Sequence, residues 1–157
     1  MDTATDRTIV LENLAKMCFN LPLAEPRELL CQLAEMLVHL AGDQYPQEAI
    51  VVARKYYKGM ATDEELKYAY ICAETSSRRS TTKMGNGALG ESGAASAAMI
   101  ATKIEELQSE DLLHAAQVVI WTLGKVDQDP EKWESDYSKW NNHAVNMIAF
   151  LRLHVNK

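Results

Sequence analysis

Apolar positions recur every three or four residues along nearly the whole chain, and no stretch shows the two-residue alternation of a half-buried strand. This pattern predicts an all-α fold, a single domain over 1–157 built as a bundle of about seven helices. The first helix is expected over about 6–18, with Ile9, Leu14, Met17 and Cys18 on its inward stripe. Pro26 suits the first turn of a second helix, where its missing N–H leaves no bond unmade. That helix is expected to reach about Leu40 through Leu29, Leu30, Leu33, Met36 and Leu37, with Gly42 as its stop.

Pro46 opens a third helix whose Ala49, Ile50, Ala53 and Tyr57 fall on one face, and Gly59 stands where a left-handed C-cap is expected. Tyr57 is expected to pack inward, and Arg54 to pair with a carboxylate of the fourth helix. Thr62-Asp63-Glu64-Glu65 has the form of a capping box, followed by Leu66, Ala69, Tyr70 and Ala73. Arg78 and Arg79 complement the dipole at the far end of that helix.

Residues 76–93 then break the period with Ser, Thr and four of the chain's seven glycines, which predicts a mobile loop. Helical spacing resumes over about 94–107. A sixth helix is expected from Ser109, facing Leu112, Ala116, Val119, Ile120 and Leu123 inward and ending at Gly124. Asp129-Pro130 opens the last helix, expected to end near His154, with Trp133, Tyr137, Trp140, Ala144, Met147, Ile148 and Leu151 at helical steps.

Composition narrows the function classes. The chain carries 22 acidic and 16 basic side chains, a formal charge of −6. That sign argues against nucleic acid and against an anionic membrane surface as partner. No apolar run approaches the ~20 residues of a spanning helix. Three cysteines, Cys18, Cys31 and Cys72, sit in helical apolar surroundings without a Cys-x-x-Cys pair, which points to free thiols and a cytoplasmic compartment.

Candidate chemistry is sparse. Gly85-Asn86-Gly87-Ala88-Leu89-Gly90 fits the dinucleotide G-x-G-x-x-G string, but that fingerprint needs a preceding strand, and the residues before it are polar. His39, His114, His143 and His154 form no metal-binding spacing; His39 and His114 are expected to be partly buried in the core. No catalytic string is present and the one cofactor string lacks its strand, so the expectation is a chain that is not an enzyme and holds no cofactor or metal. The remaining feature is a set of carboxylates, Asp127, Asp129, Glu131, Glu134 and Asp136, beside Trp133 and Trp140. Such a stripe reads first as core, and otherwise as an aromatic anchor with an acidic rim for a basic protein partner.

Pro46-Gln47-Glu48-Ala49-Ile50-Val51-Val52-Ala53-Arg54-Lys55-Tyr56-Tyr57-Lys58-Gly59, with Glu65 and Leu66 after it and Ala-rich helices beyond, resembles the α-helical immunity-protein family of bacterial polymorphic toxin and conflict systems. The resemblance covers about 46–124 and rests on Pro46, Ala49, Ile50, Arg54, Tyr57, Gly59, Glu65 and Leu66. It implies an inhibitor that occludes a toxin or effector without catalysis. A helical adaptor of a larger bacterial assembly is the alternative, and a small helical enzyme the third reading.

Overall fold

The computed structural model describes residues 3–20, 26–82, 86–126 and 138–155. Among them are seven α-helices and no strand: α1 (Thr3–Asn20), α2 (Pro26–Glu35), α3 (Tyr45–Tyr57), α4 (Asp63–Thr81), α5 (Asn86–Ala101), α6 (Ser109–Val126) and α7 (Ser138–Val155). One 3₁₀ turn, Val38–Leu40, follows α2. All seven α-helices contribute to one hydrophobic core, from Leu14 and Cys18 in α1 to Met147 and Leu151 in α7. The chain is a single-domain all-α bundle.

The helix signals between α3 and α4 act as their chemistry dictates. Gly59 takes φ +75°, a conformation that glycine adopts without a Cβ penalty. The Glu65 N–H donates to Thr62 Oγ1 at 3.1 Å, and the Thr62 N–H donates to Glu65 Oε1 at 3.2 Å, closing the capping box.

α5 is the hub of the bundle. It packs against α2, α3, α4, α6 and the 3₁₀ turn, with Gly90, Gly93, Ala94, Ala95, Ala97, Ala98 and Ala101 all buried. The loop expected over 76–93 is therefore corrected: α4 continues through Thr81, and α5 already begins at Asn86, with 83–85 outside the described residues. The reason is steric. A Cβ on Gly93 would stand 2.1 Å from Thr122 Oγ1, so this glycine lets α6 approach α5 closely.

Other expectations change in register. Gly124 does not end α6, which runs on to Val126; a Cβ there would lie 3.2 Å from Trp140 Cα, so the glycine admits α7. Ile9, His39 and His114 are exposed and do not belong to the core. The proposed start of the last helix at Asp129-Pro130 lies outside the described residues.

Candidate functional site

A cleft of about 760 Å³ lies over α5. α4 and α6 both pack on α5 but have no packed interface with each other, so α5 is recessed between two ridges. Its Ser96, Met99 and Ile100 form the floor. Tyr70 and Ile71 of α4 make one wall, and His114 and Val118 of α6 the other. The α5–α6 connection closes one end with Thr102, Lys103, Ile104 and Glu105.

Local bonds hold that closed end. The Thr102 hydroxyl donates to Ala98 O at 2.8 Å, and the Lys103 ammonium spans both Asp111 oxygens at 3.0 and 3.2 Å. Asp111 also accepts from the Gln108 N–H at 2.8 Å, so its charge is met from two sides. Beneath, Arg27 Nη1 donates to Ala101 O at 2.9 Å and Lys103 O at 2.8 Å, satisfying carbonyls that the end of α5 leaves open. Arg27 is 8% exposed and lies over the Tyr56 ring, 5.1 Å from its centroid. Burial lowers its pKa below the usual guanidinium value.

The outer ridge of α4 carries two exposed apolar residues one turn apart, Tyr68 (69% exposed) and Ile71 (56%). On the other side of this ridge a smaller furrow of about 190 Å³ runs between α3 and α4, lined by Tyr45, Val52, Tyr68 and Cys72 among others. The α4 ridge with a depression on each flank is a surface of the kind that takes a partner's side chains.

The residues behind the resemblance are largely structural. Pro46, Ala49, Ile50 and Leu66 are buried, Gly59 caps α3, and Glu65 completes the capping box. Tyr57 is exposed, contrary to expectation; its neighbour Tyr56 packs instead, its hydroxyl donating to Asp63 Oδ1 at 2.9 Å. Arg54 does pair with carboxylates, but those of α2: it grips Glu28 at 3.0 Å and also pairs with Glu35. The shared bonds hold the Glu28 carboxyl below its ordinary range and raise the Arg54 guanidinium.

Of the aromatic and acidic set, Trp140 is 4% exposed and packs in the core, its ring centroid 5.7 Å from that of Trp121. Asp127, Asp129, Glu131, Trp133, Glu134 and Asp136 lie outside the described residues. Among the described residues no group of three His, Cys, Asp or Glu side chains could hold a metal ion, and no helix is long and apolar enough to cross a membrane. The chain matches no family model, no curated protein and no solved structure with which it was compared.

The cleft escaped the sequence reading. Its signal was present as apolar positions at Tyr70–Ile71, Met99–Ile100 and Val118, each of which reads equally well as core.

Proposed function

We propose that this chain is a non-catalytic protein-binding domain, an immunity-like inhibitor that occludes a bacterial toxin or effector. The observation that carries the reading is the recess over α5, apolar at its floor, with Tyr68 and Ile71 exposed beside it. Aromatic and aliphatic anchors next to a preformed depression are what binding hot spots require. The resemblance over 46–124 supplies the inhibitory role. Free thiols at Cys18, Cys31 and Cys72 favour a cytoplasmic setting, where such an inhibitor meets its target.

The test begins with the products of the genes adjacent to this one in its native host. Each is expressed alone and with this chain, scoring growth and co-purification. An inhibitor protects cells from a toxic neighbour and forms a complex with it. Ile71→Glu, at an exposed position, should abolish both while leaving the circular dichroism melt unchanged. Stable incorporation into a multi-subunit complex with no toxic member would instead establish the adaptor role.

A further inference from the structure

The cleft has the outline of a missing helix. α5 runs antiparallel to α6, since Gly90 and Gly93 meet Val126 and Thr122 in the last turns of α6, whereas Lys103, just past α5, meets Asp111 in the first turn of α6. Lys67, Tyr70 and Ile71 share this cleft with Met99 and Ile100, whereas Ser76, Arg79 and Thr82 share a second depression with Glu91, which gives α4 the opposite sense to α5 as well. α4 and α6 are therefore two like-oriented ridges with an apolar trough between them. Packing a row of side chains into such a trough is how helices seat on one another.

The charge at the closed end is one-sided. Glu105 and Glu106 stand on the α5–α6 connection, and Glu110 stands in the first turn of α6. All three are exposed and pair with no described cation. Glu64, one turn before Lys67 on α4, is exposed too. Lys103 and Asp111 cancel each other. Of the lining itself, Glu105 and Lys67 are the charges left after that pair; Glu64 shares a helix face with Lys67, Glu106 follows Glu105, and Glu110 stands one turn before His114, so carboxylates outnumber ammoniums around this end. An apolar trough with an acidic end selects a ligand with the opposite arrangement.

We propose that the trough between α4 and α6 receives a cationic amphipathic helix of a partner protein. Its apolar stripe lies on Met99, Ile100 and Ile71, and its Lys or Arg residues meet Glu105, Glu106 and Glu110. This deepens the protein-binding reading and rests on it for the existence of a partner, but the chemistry can be tested without one.

The probes are three labelled 18-residue helical peptides with one leucine stripe and a polar face of Lys, Gln or Glu. Their binding to the full chain is followed by fluorescence anisotropy across a salt series. The Lys peptide should bind most tightly and the Glu peptide least, with the spread narrowing as salt shortens the Debye length. Neutralising Glu105, Glu106 and Glu110 to Gln should weaken the Lys peptide on the order of tenfold, as three exposed pairs would. Neutralising the exposed Glu12 and Glu48, away from the cleft, should do much less. Ser96→Trp, which fills the floor, should weaken all three peptides; should it fail to fold, Ile71→Glu on the exposed wall serves the same purpose.

Equal binding of the Lys and Glu peptides, or binding indifferent to both Ser96→Trp and Ile71→Glu, overturns the proposal. So does an absence of binding by every peptide at 100-fold excess. Displacement of the peptides by a simple fatty acid with higher affinity would show a small-ligand pocket and also overturn it. A host partner captured by the chain yet untouched by Ile71→Glu keeps the protein-binding reading and removes this trough from it. Peptide binding as described, without any toxic neighbour, supports the trough and removes the immunity role.

Discussion

Gly93 and Thr122 occupy space that only one side chain can use: a Cβ on the glycine would stand 2.1 Å from the threonine Oγ1 and 2.5 Å from its Cγ2. Both residues are buried at the α5–α6 contact, so neither can swing into solvent. Gly93→Ala gains helix propensity of about 1 kcal/mol but overpacks a closed interface, which costs about 1–3 kcal/mol. The expected net result is a lower melting temperature. Thr122→Ala removes the two nearest atoms yet leaves a Cβ at 2.8 Å, so the double variant should be less destabilised than the sum of the singles. Additive melts would show that the two helices separate freely.

This contact also explains where the sequence was legible and where it was not. Helix starts at Pro26, Pro46, Thr62 and Ser109 depend on local chemistry, and local chemistry is written in the neighbouring residues. The glycines of 85–93 read as loop because glycine's entropy is a local property, whereas the value of Gly93 in α5 lies in what α6 brings to it. Tyr56 and Tyr57 are a similar case. One residue step turns the helix by about 100°, and the choice between them is made by Arg27 of α2 and Asp63 of α4, partners outside the helix that carries the tyrosines. The trough could not be read because an apolar stripe looks the same covered or bare.

The Arg54 clamp gives stability an acid limit. Glu28 accepts from Arg54 Nε at 3.0 Å and Nη2 at 3.0 Å, and these bonds hold its carboxyl below the usual range. A carboxyl whose folded value lies below its unfolded one, near 4.3, stabilises the fold fully above that unfolded value. The contribution disappears as pH falls through the depressed value. Both side chains are partly solvated, so the pair is worth about 1 kcal/mol. Glu28→Gln should lower the melting temperature by about 2–4 °C at pH 7, and the gap should close in strong acid. A gap that persists at pH 2 would mean the loss is one of packing.

The three thiols should react in two classes. Burial pushes Cys18 up to about 11 and Cys31 up to about 12, so at neutral pH almost no thiolate is present at either. Both are fully enclosed, whereas Cys72 is half-buried in the furrow beside Tyr68. A disulfide reagent at pH 8 should modify one thiol quickly and the other two only at the rate of unfolding. Cys72→Ser should erase the fast phase. Loss of a slow phase in its place would put the reactive thiol in the core.

Trp140 sets two opposed effects against each other, and their sizes decide the outcome. Its ring is buried against Gly124 and Trp121, so Trp140→Ala leaves a large cavity and should cost about 3–5 kcal/mol. Yet its indole Nε1 is buried and pairs with no described residue, and an unmet donor costs about 1–3 kcal/mol. Phenylalanine has no such donor, though it fills less of the site. Trp140→Phe should therefore lie within about 1.5 kcal/mol of the parent, because loss of the unmet donor offsets most of the lost contact. Chemical denaturation of the three chains, with equal m-values confirming a common unfolded state, measures both differences. If Trp140→Phe proves nearly as damaging as Trp140→Ala, the indole N–H is bonded in solution and that hydrogen bond fastens α7 to the bundle.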